Sequence, residues 1–421
     1  MKIPLGVNKK IKSLRDKGFF YLLSAMLLGQ GISFTQRILL GRWLTREDFG
    51  RYSLIVESNI FFTTLITLAL PMAMIRFGLK EKRLDFFFAG AVRIFLFYSI
   101  LLITIYFALR QEFQFFNDQT TQNLVDLAVL CSPFLAIFNY TVAYLSAQKR
   151  IAERAVITLL QRVTSFLFIV GGCWLAFFSG AVTGFYSSLV AFGLVLGIRY
   201  RKMIIRRISG FPYGKLIEFS FWSSLSIVSI NLSFFIILNF SERILDDLSL
   251  ISQLSIAFTF TIIAKIFFAS VNDLLFPYFM EKETRSDLLQ LVIKVLILFL
   301  ILSAVILLIS YGIIPFVISF LLGEKYLAAI PIFKLAVVGE ILVGFSLMFE
   351  IILEVFGAVK FKAVAMGLNL LVLLLILRPL IVNYGVYGAI YSFLIFALLR
   401  AILNLIGSSY CLFSFSKFHS Y

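Results

Sequence analysis

Long apolar runs alternate with short polar connections along the chain, and the runs are too long to be strands. From Gly18 to Leu412, stretches of at least 18 mostly apolar residues recur. As helices, each can cross the roughly 30 Å of bilayer hydrocarbon. Charged residues punctuate the pattern into twelve expected spans: 18–40, 50–75, 87–109, 123–147, 155–177, 180–201, 218–240, 250–275, 288–310, 331–353, 363–383 and 386–408. Hydrocarbon offers no partner to a backbone amide, so the pattern predicts an all-α polytopic membrane protein of about 12 transmembrane helices.

Composition narrows the chemistry. Of 421 residues, 61% are hydrophobic, 14% are charged and 49 are Phe, against about a quarter charged in a soluble domain. The single histidine, His419, lies in the C-terminal tail, which excludes a histidine-ligated metal or a histidine base inside a bundle. Cys131, Cys173 and Cys411 are scattered among apolar residues and imply neither a disulfide framework nor a zinc site. No GxxxxGK[ST] loop occurs, so direct ATP coupling has no support.

Positive charge sets the expected orientation, because Lys and Arg are retained on the cytoplasmic side. Alternate connections carry 24 Lys and Arg on one side and five on the other. The rich side includes residues 1–17, Arg76–Phe86, Gln148–Arg154, Arg199–Lys215, the pair Lys360 and Lys362, and the tail. Both termini are therefore expected in the cytoplasm. The formal charge of +16 reads as topology and contact with anionic membrane lipids, with no nucleic-acid partner. The basic connection containing Gly210, Pro212 and Gly214 suggests a linker at 202–217 between six-helix lobes at 18–201 and 218–408, flanked by a basic N-terminus (1–17) and a cytoplasmic tail (409–421). LLGRWLTREDFGRYS and ILNFSERILDDLSLIS form a weak internal echo, each with an acidic pair followed by an apolar residue.

Charged residues inside the spans carry the candidate chemistry, because an ionised group at mid-bilayer costs at least about 2.5–3.5 kcal/mol. Lys265, Arg162 and Arg400, with Arg37 and Arg378, are the expected cationic cavity surface. Arg51, Lys334, Arg93 and Lys294 lie near helix ends, where long side chains snorkel. Glu340, Glu57 and Asp126 are candidates for ion coupling, since a desolvated carboxylate takes up a proton more readily; a permanent pair between Glu340 and Lys265 is the alternative. Polar stripes at helical spacing include Gln30, Ser33 and Arg37, then Glu57, Thr64, Thr67 and Pro71, then Thr261, Lys265 and Asn272, and finally Arg400 and Asn404. The serine-rich span at 218–240 is expected to line water. Pro71, Pro133 and Pro379 should bend their helices.

The segments LLGRWLTREDFGRYSL, ALPMAMIRF, FLLGEKYLAAIPIFKLAVVGEIL and YGVYGAIYSFL resemble the polysaccharide transporter branch of the multidrug/oligosaccharidyl-lipid/polysaccharide exporter superfamily, with Gly50, Gly323, Gly385 and Gly388 as their firmest points. The resemblance runs over nearly the whole chain. It implies two six-helix lobes around a central cavity that opens alternately to either side. It also implies a substrate of O-antigen, capsule or exopolysaccharide repeat units on undecaprenyl diphosphate, moved from the cytoplasmic to the periplasmic leaflet of the bacterial inner membrane. No cofactor is implied beyond H+ or Na+ as a coupling ion. A polysaccharide polymerase and a chain-length regulator are the protein partners it suggests. The second echo segment, NFSERILDDLSL, lacks the glycine of its first-half counterpart. Lipid II flippases are similar but usually carry two further helices.

Two other classes compete. A multidrug cation antiporter of the same superfamily would want an acidic cavity, whereas basic residues outnumber acidic ones here. A membrane enzyme of polysaccharide assembly would want paired carboxylates, and the adjacent Asp246 and Asp247 sit in a connection where solvation is the simpler fate.

The charge asymmetry makes the orientation testable. Single cysteines replacing Gln114 and Ser209 in a cysteine-free background should be labelled by an impermeant thiol reagent from opposite sides of the membrane. Labelling of both from the periplasm would overturn the twelve-span topology.

Overall fold

The structure is a computed structural model that describes residues 19–110, 116–205, 210–262, 264, 265, 267, 268, 279 and 285–413. Residues 1–17, Gln114, Ser209, Asn272, Asp273, Pro277 and the end of the tail with His419 lie outside the described residues. Among the described residues all regular structure is helical. In chain order the helices are α1 (Phe19–Trp43), α2 (Arg46–Thr67), α3 (Leu70–Lys80), α4 (Leu84–Arg110), α5 (Gln119–Ala147), α6 (Ile151–Arg199), α7 (Arg201–Ile204) and α8 (Tyr213–Leu245). They continue as α9 (Leu248–Phe260), α10 (Arg285–Gly312), α11 (Ile314–Leu322), α12 (Ala329–Val355), α13 (Val359–Tyr384) and α14 (Val386–Phe413). Nine helical stretches of the described residues are long and apolar enough to cross a membrane.

The expected spans at 155–177 and 180–201 are the two arms of α6. Ala176 and Phe177 leave helical geometry, Phe177 at φ 49°, and the chain doubles back. The arms touch backbone to backbone: a Cβ on Gly180 would lie 1.9 Å from the carbonyl oxygen of Gly172, and one on Gly184 would lie 2.1 Å from that of Phe168. Small residues allow this approach, and in lipid it replaces the hydrophobic drive that water would supply.

Pro71 divides the expected span 50–75 into α2 and α3. Its ring nitrogen cannot donate to the Thr67 carbonyl one turn earlier, and Leu68 and Ala69 take positive φ of 49° and 50°. The Tyr140 hydroxyl of α5 donates to that Thr67 carbonyl at 3.2 Å, so the break costs no orphaned acceptor. Pro133 and Pro379, by contrast, lie inside helices that continue through them.

Helix starts account for the acidic pairs of the internal echo. Asp48 N–H donates to Thr45 Oγ1, whose hydroxyl donates back to Asp48 Oδ2 at 2.8 Å, a reciprocal cap at the start of α2. Asp247 caps α9 by accepting from Ser249 N–H at 2.7 Å, and Asp246 accepts from the Asn117 side chain. These two aspartates therefore have structural work rather than a paired-carboxylate geometry. Gly50 faces the start of α9, where a Cβ would meet the Leu248 carbonyl oxygen at 2.2 Å. Only one partner of such a contact has to be small, which explains a glycine in one half of the echo and none in the other.

Backbone contacts group the chain into two compact units. The first holds residues up to Leu44, Ser58–Gln114 and Gln122–Ser224. The second holds Thr45–Glu57, Phe115–Thr121 and Leu225 onward. The mid-chain boundary of this grouping falls within α8, between Ser224 and Leu225. Within the second unit, the buried Glu242 carboxylate accepts the backbone N–H of Asn117 at 3.1 Å and of Asp118 at 3.4 Å. Arg51 Nε donates to Asp118 Oδ2 at 2.8 Å. Burial works against the charged form of Asp118, but the bonds from Thr121 and Arg51 outweigh it and hold this carboxyl below its ordinary 3.8.

The first unit is cored by aromatics. Phe211, within the basic connection, packs on Phe86 and Phe87 with centroids 5.2 and 5.5 Å apart, so that part of the connection is anchored. Arg83 lies 4.1 Å from the centre of the Phe86 ring and Arg76 4.7 Å from that of Phe219, contacts that offset part of the cost of placing cations against an apolar core. Between the expected spans 288–310 and 331–353, the chain forms α11 and a 3-10 turn at Glu324–Tyr326. Many large apolar side chains, such as Leu308 and Leu375, remain exposed, as suits surfaces meeting lipid.

The α6 reversal gives a direct test. Gly180→Val should destabilise the detergent-solubilised protein by about 1–3 kcal/mol, seen as a lower thermal midpoint. Gly171→Val, with nothing within 4 Å of its Cβ position, should leave the midpoint unchanged. Equal effects would remove the backbone contact as the cause.

Candidate functional site: intramembrane charges

The expected site residues fall into two groups, those whose charge is consumed by neighbours and those that keep donors available. Arg400 belongs to the first. It is 1% exposed on α14, and its Nε and Nη2 donate to Glu350 Oε1 at 2.9 and 2.7 Å. Asn404, one turn on, donates to Ser346 Oγ at 2.7 Å and Glu350 Oε1 at 3.0 Å. Lys362 Nζ from α13 completes the cluster, 3.0 Å from Glu350 Oε2 and 2.7 Å from Glu354 Oε1. The expectation of Arg400 on an open cavity surface is thereby corrected. A guanidinium this deep needs a desolvated counterion, and Glu350 on the facing helix supplies it.

Lys362 and Ser346 were not singled out in the sequence. Lys362 lies in a short connection that reads as cytoplasmic, yet its side chain folds back onto α12. The spacing of Ser346, Glu350 and Glu354, each four residues apart, is the signal that marks one helix face.

Asp126 is likewise saturated. It is 9% exposed and 2.5 Å from Arg110 Nη2, and it accepts from Tyr106 Oη at 2.8 Å and Gln122 Nε2 at 3.1 Å. Glu57 is half-buried on α2 and engaged in a polar or electrostatic contact. The α8 serines also depart from expectation: Ser220, Ser223, Ser224, Ser226, Ser229 and Ser233 are all buried. Ser224 and Ser229 spend their hydroxyls on carbonyls of their own helix. Their role is packing, since small hydroxylated residues let helices approach.

Lys265 and Glu340 lie together. Nζ is 3.3 Å from Glu340 Oε1, and the lysine side chain is 49% exposed while the carboxylate side chain is 1% exposed. Phe234 supports the ammonium with its ring centre 4.5 Å away, and Phe234, Phe258 and Phe393 form a mutual cluster with centroids 5.2 to 5.4 Å apart. Gly339 admits Phe393 beside this pair, since a Cβ there would lie 2.3 Å from the ring. The carboxylate is buried, with Oε1 held by the ion pair and, among the described residues, by no hydrogen bond, whereas the ammonium is half-exposed.

Arg162 keeps most of its donor capacity. On the first arm of α6, its Nη1 donates to Ser33 Oγ of α1 at 3.2 Å, and that hydroxyl donates to the Gly29 carbonyl at 3.1 Å. The arginine stem fits because Gly29 has no side chain; its Cβ position is 3.3 Å from Arg162 Cγ. A neutral hydroxyl is the partner, and no carboxylate pairs with Arg162 among the described residues. Arg37, two turns beyond Gly29 on α1, adds like charge close enough to act on Arg162. A guanidinium whose partner is a neutral hydroxyl keeps donors for an anion. Arg378 is exposed on α13, on one face with Leu375 and Val382, where snorkelling toward the helix end accounts for it.

The Arg400 cluster makes a separable prediction. Arg400→Met should destabilise the protein by about 3–5 kcal/mol, because one buried charge loses its strongest partner, and protein in the membrane fraction should fall. Adding Glu350→Leu should restore abundance, since Lys362 keeps Glu354. Normal abundance of the single variant would show that the pair is not structural.

Comparison with known proteins places this geometry. The sequence pattern of a family described as "Polysaccharide biosynthesis protein" matches residues 16–283. No curated protein sequence matches the chain. Among solved structures it is similar to an inward-facing multidrug resistance MATE family transporter of the MOP superfamily, at 13% identity and TM-score 0.70, covering 92% of this chain and 96% of that one. It is also similar to a MOP superfamily transporter from Pyrococcus furiosus whose binding pocket has reversed polarity, at 13% identity, TM-score 0.67, and 94% and 96% coverage. The inward closed lipid II flippase MurJ shares 16% identity at TM-score 0.67, over 94% of this chain and 87% of that one. These likenesses establish the fold, the all-helical architecture that those proteins share.

Proposed function

The chain belongs to the polysaccharide biosynthesis protein family, and we propose that it is a flippase for oligosaccharide repeat units carried on undecaprenyl diphosphate. It moves O-antigen, capsule or exopolysaccharide units from the cytoplasmic to the periplasmic leaflet of the bacterial inner membrane by alternating access. The observation that carries the reading is Arg162, a half-buried cation in the first unit whose hydrogen-bond partner is a neutral hydroxyl.

A diphosphate crossing hydrocarbon needs fixed positive charge along its route, because its own hydration is lost there. Arg162 offers the planar donor fork that grips phosphate oxygens two at a time. Lys265 is the second contact. An anionic head reaching the half-exposed ammonium competes with Glu340 for it and leaves that carboxylate uncompensated, so that it takes up H+ or Na+. Substrate passage and ion uptake are then linked through one displaced pair, and no resident cofactor or catalytic residue is required. Asp126 is a poor coupling candidate because Arg110, Tyr106 and Gln122 already satisfy it. The product on the outer leaflet is the form that a polysaccharide polymerase and a chain-length regulator would use.

Proteoliposomes with a fluorescent lipid-linked oligosaccharide test the reading. Arg162→Ala and Lys265→Ala should each cut translocation at least about tenfold, roughly 1.4 kcal/mol, at normal abundance. Lys265→Arg should do less harm. Glu340→Gln should remove dependence on the ion gradient while substrate still binds. Transport of cationic dyes, with no movement of the lipid-linked sugar, would replace the flippase with a cation antiporter.

A further inference from the structure

An apolar groove of about 450 Å³ runs between α1 and the first arm of α6, lined by Leu27, Leu28, Gly31 and Ile32 on one side and Val163 and Phe166 on the other. Thr35 is its polar member. The volume falls within the roughly 300–1,000 Å³ typical of ligand sites. Gly31 opens it: nothing lies within 4 Å of where its Cβ would be, although the α1 helix needs no glycine there for conformation. Leu27 and Leu28 are 51% and 59% exposed, so the groove is reached from one side.

Arg162 and Phe166 sit about one turn apart on the same face of α6, their backbone positions about 6 Å apart along the helix axis. Apolar walls alone would fit any hydrocarbon, but a cation lacking a carboxylate partner at the same depth selects a molecule with an anionic head and a long apolar chain. Flipping imposes the same juxtaposition. A carrier's head must pass mid-membrane while its chain gains nothing by leaving hydrocarbon, so head and chain have to be held side by side.

We propose that the α1–α6 groove holds the polyprenyl chain of the carrier while Arg162 holds its phosphate. This rests on the flippase reading above and adds where the lipid part binds.

The test uses the full chain in phosphatidylcholine nanodiscs, with affinities for undecaprenyl diphosphate and farnesyl diphosphate, which share a head and differ in chain length. The wild type should bind the long-chain ligand at least tenfold tighter. Gly31→Phe, whose ring has open space to fill, should bring the two affinities within about threefold of each other by weakening only the longer ligand; Gly31→Ala should behave as wild type and guard against misfolding. Arg162→Ala should weaken both ligands. A full chain-length preference in Gly31→Phe would overturn the groove assignment and leave the flippase reading standing. So would equally effective displacement of undecaprenyl diphosphate by phosphatidylglycerol, which would make the groove a bilayer-lipid site. Failure of the wild type to bind either diphosphate would sink the flippase reading itself.

Discussion

Hydrocarbon supplies no water to a stranded polar group, and the described structure is organised around meeting that demand internally. Where Pro71 cannot donate to Thr67, Tyr140 does. Where Arg400 is carried into the core of the second unit, Glu350, Lys362, Glu354, Asn404 and Ser346 form a connected set around it. Each charge in that set would be costly alone, and the set persists because nearly every donor has an acceptor.

The same constraint changes what holds helices together. Lipid tails are as apolar as leucine, so exposed Leu and Ile side chains give no reason for helices to associate. Close backbone approach gives one. The arms of α6 meet through Gly172, Gly180 and Gly184, and Gly50 meets the first turn of α9. Gly385 serves differently: at φ 58° it ends α13 in a conformation that side chains resist, and Gly388 then packs on the Leu380 carbonyl. The glycines that stand out in the motifs are thus contact points and helix ends rather than ligand contacts.

Against this background, residual capacity to bind is informative. Arg400 and Asp126 have their charges answered by neighbours. Lys265 is half-exposed between Glu340 and Phe234, and Arg162 has only a hydroxyl. A transporter has to leave some polar groups incompletely satisfied, because a site that is fully paired in the resting protein has no affinity to offer a passing anion. Such groups reduce stability, and saturated clusters elsewhere in the chain offset that loss.

The apolar runs located helices of the described residues, including both arms of α6, because span length is a property of the chain itself. Pro71 is expected only to bend the second span, and the structure breaks it into α2 and α3. The runs also marked Arg162, Lys265, Glu340 and Arg400 as costly, since burial in hydrocarbon follows from their position in an apolar run. Sequence spacing could not say which of those costs were already met. The reach of Lys362 back to Glu350, the pairing of Lys265 with Glu340 and the hydroxyl partner of Arg162 depend on which faces of separate helices meet. That is decided by packing between residues far apart in the chain. Charge alone is local and legible, whereas its neutralisation is a tertiary event.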